Sequence, residues 1–212
     1  SAAKEYLKVY GVLVGKKPLI FTNNDSGYET AIEFKKNGIE PVILDTRKEP
    51  NSEIIDEAKN LGIQIKFSYV VVAAKGYKKV NAAEIAKISD NKNDLGTLEN
   101  ITCDCICVSG FWTPTIHLAS QSGNKTTFNK DIDAFVPGVS KQSETTLGAA
   151  KGTFTLAETL KDSFNAGYEL SKKITKNDNK ISHPTVVEKN KTTHDKFWCV
   201  PLPKGKNYKR FL

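Results

Sequence analysis

The chain has 212 residues, of which 39% are hydrophobic and 26% charged, an ordinary balance for one large domain or two small ones. It contains no run of about 18 apolar residues, which excludes a transmembrane helix, and its N-terminus lacks the apolar core of a signal peptide. Because the sequence contains no methionine, we expect it to be a piece of a longer polypeptide.

The net charge of +7 belongs to the end of the chain. Residues 171–212 carry 11 Lys or Arg and 3 Asp or Glu, whereas the residues before them are nearly neutral. Only Arg47 and Arg210 are arginines, and lysine lacks the planar fork that grips phosphates and base edges. No RNA-recognition, zinc-finger or helix-turn-helix signature is present. We interpret residues 175–212 as a basic irregular tail, solvated or docked on an acidic partner, and expect no nucleic-acid partner.

The first hundred residues predict a parallel α/β unit. A lead-in helix and a linker over 1–16 come first. Strands, marked by short apolar runs, and helices, marked by apolar residues at helical spacing, then alternate. The predicted ranges are strand 18–21, helix 28–37, strand 41–45, helix 50–62 and a third strand from residue 63. This order is that of a mononucleotide-binding half of a doubly wound, Rossmann-like fold.

An antiparallel hairpin over 68–88 and a polar linker over 91–96 follow, and then a strand over 101–108. Residues 110–145 are turn-rich, and a helix is predicted over 153–174. Cys103, Cys105 and Cys107 alternate along the predicted strand and would face one side of it. Their spacing differs from the paired cysteines of zinc sites, so we predict core residues and no metal. The absence of a disulfide framework indicates a reducing, cytoplasmic location.

The turn after the first strand, residues 22–27, reads TNNDSG where a dinucleotide-binding fold carries G-x-G-x-x-G. Asn24 adds bulk where a pyrophosphate would approach, and Asp25 would repel it. Asp45 ends the second strand, where an acid can bind an adenine ribose. Two interpretations stay open: a weak dinucleotide site that includes Thr22, Asn24 and Asp45, or a Rossmann-like unit kept as a scaffold.

A second glycine-containing turn precedes the last helix. Gly148 and Gly152 allow close approach of a ligand, and the amides of Gly152, Thr153 and Phe154 are predicted to face the helix N-terminus, which favours an anion. The alternative is an ordinary helix cap with glycines for packing. No nucleophile–histidine signature is present, so we predict no catalytic residues.

Several of these segments together resemble the α subunit of heterotetrameric sarcosine oxidases. The motifs that carry the resemblance are YLKVYGV (6–12), LIFTNNDSGYETA (19–31), VILDTR (42–47), ITCDCICVSGFWTPTIHLASQSG (101–123), AFVPG (134–138), LGAAKGTFTLAETL (147–160) and FWCVPLPKGKNYKRFL (197–212). They occur in order along nearly the whole chain.

The resemblance implies a two-dinucleotide-binding architecture. A Rossmann-like NAD(P)-binding-type domain, residues 17–99, would be inserted in a partial second dinucleotide-binding domain, whose C-terminal half is residues 100–174. NAD would lie in this outer domain. The residues that the resemblance assigns to the NAD site are Gly148, Ala149, Gly152, Thr153, Phe154 and Thr155.

The resemblance also implies an activity, the oxidative demethylation of sarcosine or a related secondary amine, to which the isolated chain would contribute no catalysis. FMN and FAD would lie mainly on the β subunit, and folate would bind a region absent here. The partners would be β, γ and δ subunits. Two alternatives remain: a non-catalytic Rossmann-like interaction module, and the NAD(P)H-binding part of a pyridine-nucleotide-dependent flavin oxidoreductase. The latter would need a phosphate-friendly turn over 22–27 and a redox Cys-x-x-Cys, which the sequence lacks.

Overall fold

A computed structural model describes residues 2–110, 112–175, 182, 185–186 and 195–203. The chain divides into two compact units, Ser1–Phe111 with Thr192–Leu212 (unit 1) and Trp112–Lys191 (unit 2). Most of the predicted basic tail, residues 175–212, lies outside the described residues. In the part of the chain that the structure describes, no helix combines the length and apolar character needed to span a membrane.

Unit 1 is built on a four-stranded parallel sheet of order β3-β2-β1-β7 and a three-stranded antiparallel sheet of order β4-β5-β6. Its elements are α1 (Ala2–Tyr10), β1 (Pro18–Thr22), α2 (Ser26–Lys36), β2 (Val42–Asp45), α3 (Glu53–Asn60), β3 (Gln64–Phe67), β4 (Tyr69–Gly76), β5 (Val80–Ile88), β6 (Leu95–Thr102) and β7 (Cys105–Ser109). The predicted class, a Rossmann-like parallel sheet with appended antiparallel strands, is confirmed.

The parallel sheet is covered on both faces, which explains the short and largely apolar strands β1 and β2. On one face, Tyr28 and Phe34 of α2 and Ile55 of α3 are completely buried in a core cluster that includes Ile20 and Ile43. On the other face the antiparallel sheet packs through a second cluster: Leu19, Leu44, Ala83, Ile85 and Cys103. The two clusters alternate along β1 and β2, as side chains on a pleated strand do.

The predicted strand over 101–108 is two strands, because the chain turns at Asp104. The Asp104 carboxylate accepts the backbone amides of Lys16 at 2.7 Å and Lys17 at 2.8 Å, which anchors the linker before β1. β6 ends in the antiparallel sheet and β7 enters the parallel sheet beside β1. Residues 100–111 thus group with unit 1, whose sheet β7 completes, while the division into an inserted and an outer domain stays a prediction.

The break at Asp104 also corrects the orientation predicted for the cysteines. Cys103 is buried in the cluster beneath the antiparallel sheet, whereas Cys107 packs against the cluster beneath the helices. Only Cys105 and Cys107 share a face, with 3.8 Å between their Sγ atoms.

Unit 2 contains more regular structure than its turn-rich sequence predicts. Its elements are α4 (His117–Gln121), β8 (Thr126–Asn129), β9 (Ala134–Pro137), a 3-10 helix (Gly148–Ala150) and α5 (Leu156–Thr175). β8 and β9 form an antiparallel pair in which Phe128 and Phe135 meet edge to face. The strands are four residues long, too short to stand out from the surrounding turns.

Candidate functional site

Two places were predicted to bind a ligand, and each lies within one unit. The first is the carboxyl edge of the parallel sheet in unit 1, where ligands of open α/β sheets gather. The turn after β1 lies at this edge, and Thr22, Asn23, Asn24 and Asp25 are all buried there.

The Asn24 side chain joins the ends of β1 and β7. Its Nδ2 donates to the carbonyl oxygens of Ser109, at 3.3 Å, and Gly110, while its Oδ1 accepts the Ser26 amide at 2.9 Å. Ser26 Oγ and Ser109 Oγ are 2.7 Å apart. Every polar atom of the Asn24 amide is therefore engaged within the protein, at the point where the pyrophosphate of a dinucleotide would approach the chain.

Asp45 lies beside this turn in a buried cluster of charges. Its carboxylate accepts hydrogen bonds from Arg47 Nε, at 3.0 and 3.2 Å, and from one terminal nitrogen of Arg47, at 2.8 Å. The Tyr28 hydroxyl donates a further hydrogen bond to it at 2.6 Å. The other terminal nitrogen of Arg47 donates to Asp25 at 2.7 Å. The side chains of Asp45, Arg47 and Asp25 are 0%, 8% and 9% exposed.

The cluster raises the pKa values of Tyr28 and Arg47, which preserves the charges that hold it together. Burial raises the pKa of the Tyr28 hydroxyl, and the negative charge of Asp45 raises it further. Burial acts against the Arg47 guanidinium, but its hydrogen bonds and attraction to Asp45 and Asp25 outweigh that cost and raise the pKa of Arg47. The tyrosine therefore stays neutral and the arginine stays charged across the physiological range.

This arrangement differs from the role expected of Asp45. Both of its carboxylate oxygens are held by Arg47 and Tyr28, so neither is free to accept a ribose hydroxyl. Arg47 also neutralises Asp25, which would otherwise repel a phosphate. No motif in the sequence assigns a role to Arg47. Its position two residues after a strand-ending acid, as one of only two arginines in the chain, was the available signal.

Two cavities open along this edge. The larger, of about 490 Å³, lies beyond the ends of β2 and β3, and the smaller, of about 230 Å³, lies at the ends of β1 and β7. Thr46 contributes to the walls of both cavities. It is 4% exposed, and its hydroxyl has no hydrogen-bond partner within the described part of the chain.

The second predicted place is the turn over 147–155 in unit 2. Gly148 has a φ of +62° and begins the 3-10 helix, and the amides of Gly152 and Thr153 donate to the carbonyls of Ala149 (3.2 Å) and Gly148 (3.1 Å). These two amides serve the turn, which differs from the prediction that they face an anion. Ala149 is exposed at the surface of the turn.

Helix α5 begins at Leu156, three residues later than predicted, because Thr155 caps it. Its hydroxyl accepts the Glu158 amide at 3.3 Å, as an N-cap does, and donates to the Glu158 carboxylate at 2.7 Å. Nearby, Lys151 pairs with Asp162 at 3.2 Å, and the rings of Trp112 and Phe154 are tilted against each other with centroids 6.4 Å apart. The turn thus presents a lysine and an aromatic pair beside a capped helix.

Gly152 shows why this turn needs glycine. Its φ is +101°, and a Cβ placed on it would lie 2.7 Å from Ile132 Cδ1 and 3.2 Å from Val136 Cγ1. Side chains of unit 2, and not a ligand, therefore occupy the space beside Gly152, so packing alone accounts for this glycine.

Among the described residues, no group of three or more His, Cys, Asp or Glu side chains converges as a metal site. Cys105 and Cys107 are the nearest thiol pair. Burial, followed by the proximity of Cys105, raises the pKa of the Cys107 thiol to about 12, which keeps it protonated and unreactive.

Comparisons with known proteins bear on the fold and on the family. No family model matches the chain. Among solved structures, thioredoxin reductase from Lactococcus lactis aligns with 76% of this chain and 53% of its own, at a TM-score of 0.58 and 16% identity. The HOCl-induced flavoprotein disulfide reductase RclA from Escherichia coli aligns with 74% of this chain and 36% of its own, at a TM-score of 0.52 and 16% identity. These similarities support the fold.

The sequence relatives are more specific. Sarcosine oxidase subunit alpha from Rhizobium meliloti (strain 1021) is 34% identical over 155 residues, which is 72% of this chain and 14% of that protein. The subunit alpha from Corynebacterium sp. (strain P-1) is 28% identical over 162 residues, 76% of this chain and 16% of that protein. The chain thus spans about a sixth or less of the length of these relatives. Over about three quarters of its own length, the chain is related to the α subunit of sarcosine oxidase.

Proposed function

We propose that this chain is part of the α subunit of an oxidoreductase of the sarcosine oxidase type, in which it supplies part of an NAD site and a surface facing the flavin-bearing β subunit. The single observation that carries the proposal is the 34% identity to such a subunit over 155 residues. The enzyme would demethylate sarcosine or a related secondary amine oxidatively, within an assembly that also includes γ and δ subunits.

We place NAD at the turn of unit 2, over Gly148, Ala149 and the residues up to Thr155. Ala149 is exposed and carries no charge that would repel a pyrophosphate. The Lys151 ammonium lies on the same turn and, although it pairs with Asp162 at 3.2 Å, is about half exposed and can also attract phosphate oxygens. The positive end of the α5 dipole adds to this attraction, although the Glu158 carboxylate already occupies part of that end.

The same reasoning argues against unit 1 as the NAD site. Its turn lacks two of the three glycines of a phosphate-binding turn, Asn24 fills the space between β1 and β7, and Asp45 is saturated by Arg47. In this proposal NAD does not bind the turn of unit 1. FMN, FAD and folate would be held elsewhere in the assembled enzyme, and the amine would be oxidised on the β subunit, so no residue of this chain is assigned to catalysis.

Isothermal titration calorimetry with NAD tests the proposal on three proteins: the unmodified chain, Ala149→Asp and Asn165→Asp. Each variant adds one negative charge, but Asn165 is exposed on α5, sixteen residues after Ala149. We expect Ala149→Asp to weaken NAD binding about tenfold, because a carboxylate would face the phosphates, and Asn165→Asp to leave it nearly unchanged. Equal affinities for all three proteins would place NAD elsewhere.

A non-catalytic interaction module is the second candidate function. It is favoured by the internal use of the Gly152 and Thr153 amides and by the saturated Asp45. The same titration carried out on the complete α subunit separates the two, because a pure scaffold produces no binding heat with NAD.

A further inference from the structure

The carboxyl edge of the parallel sheet in unit 1 is occupied by the chain itself. Residues 195–200, called here the occluding segment, return to this edge from the C-terminal region. The Asp195 amide donates to the Asn23 carbonyl at 2.9 Å, and the Asn23 side-chain amide donates to the Asp195 carbonyl at 2.9 Å. Asn23 is 5% exposed, so this two-bond contact is sheltered from water.

Charge holds the same residue in place. The Asp195 carboxylate pairs with the Lys92 ammonium, and both residues line the larger cavity. The other two cations that line this cavity have ion-pair partners outside the occluding segment. Arg47 pairs with Asp45 and Asp25, and Lys48 pairs with Asp90. Lys92 is therefore the cation whose partner comes from the occluding segment.

The rest of the segment closes the smaller cavity. Phe197, Trp198, Cys199 and Val200 line it opposite the ends of β1 and β7. The wall that they face carries polar groups. The Asn23 amide donates to Asp195 and the Ser109 hydroxyl meets Ser26, whereas the buried Thr46 hydroxyl has no hydrogen-bond partner among the described residues.

We propose that the occluding segment keeps a latent anion site in unit 1 closed, with the Asp195 carboxylate standing where the phosphate of a small nucleotide would bind Lys92. The larger cavity, of about 490 Å³, has the volume of a small-molecule site. Ser68 and Ser89 add hydroxyls to its wall, and Ser68 has a φ of 57°, a conformation that is costly for a residue other than glycine. The carboxylates of Asp90 and Glu49 also line the cavity, and their repulsion limits the negative charge of a ligand that can bind there.

The proposal predicts competition between the occluding segment and an added anion. Chymotrypsin cleaves after Phe197 and Trp198, and cleavage requires the segment to leave the sheet edge. With the full chain, we expect Asp195→Ala to raise the rate of this cleavage about fivefold, because the ion pair with Lys92 is lost. Asp90→Ala is the matched control, since it removes the exposed Lys48–Asp90 pair from the same cavity without touching the segment.

The second experiment adds ADP to the unmodified chain during chymotrypsin cleavage. Mass spectrometry identifies the cleaved bonds. We expect millimolar ADP to accelerate cleavage after Phe197 and Trp198, and potassium chloride at equal ionic strength not to do so. Asp195→Ala cleaved at the rate of the unmodified chain would overturn the occlusion. Cleavage unaffected by ADP would overturn the latent anion site. Neither result depends on NAD binding in unit 2, which the Ala149→Asp titration tests separately.

Discussion

The buried charge cluster makes the sharpest prediction about stability. Arg47→Leu leaves Asp45, whose side chain is 0% exposed, and Asp25, which is 9% exposed, without their shared cation. Removal of one partner from a buried ion pair costs about 3–5 kcal/mol. Because two carboxylates lose the same partner, we expect the upper part of that range, which is a large fraction of the 5–15 kcal/mol that stabilises a typical domain.

Urea titration followed by hydrogen exchange of the β1 and β2 amides measures this loss in unit 1 alone. Lys36→Leu is the control, because its pair with Glu57 is about half exposed on both sides and should contribute at most about 1 kcal/mol. If Arg47→Leu does not fold, the triple variant with Asp45→Asn and Asp25→Asn should recover at least half of the loss, since no buried charge remains. A loss below about 1 kcal/mol for Arg47→Leu would refute the reasoning.

Three further predictions concern single residues. In unit 2, Gly152→Ala should destabilise by about 1–3 kcal/mol, because the new methyl group meets Ile132 at a positive φ; thermal unfolding measures it. Gly167→Ala in α5, where nothing lies near the Cβ position, should instead stabilise by about 0.5–1 kcal/mol, and a loss would contradict the helix assignment. Desolvation raises the pKa of Asp104, but hydrogen bonds from backbone amides outweigh that effect and lower it. The ionised carboxylate therefore stabilises the fold fully above about pH 4, and this stabilisation is lost as the pH falls through the lowered pKa. Asp104→Asn should therefore flatten the acid limb of the stability profile, which acid titration by circular dichroism checks.

The parallel unit could be predicted from sequence because its signals are local. The apolar runs of β1 and β2 and the helical spacing of Tyr28, Ala31 and Phe34 each lie within a dozen residues. The start of α5 was also accessible, since Thr155 and Glu158 have the spacing of a capping box. The predicted start at residue 153 instead follows directly from the glycine turn and does not use this cap.

The remaining features depend on contacts between distant residues. Asp104 breaks the predicted strand 101–108 because it accepts amides from residues 16 and 17, which no local pattern reveals. Asp45 has the position of a ribose-binding acid, and only the folded structure shows that Arg47 and Tyr28 saturate it. The contact of Asp195 with Asn23 spans 172 residues and joins the C-terminal region to the turn after β1, which no local pattern reveals.

The location of NAD is the central claim, and amide chemical-shift mapping of the chain titrated with NAD tests it most directly. This method detects weak binding, so it suits a chain that supplies only part of the site. We predict shifts concentrated over residues 148–155 in the unmodified chain and reduced in Ala149→Asp. Shifts confined to residues 22–25 and 45–47 would contradict the account and place the dinucleotide in unit 1.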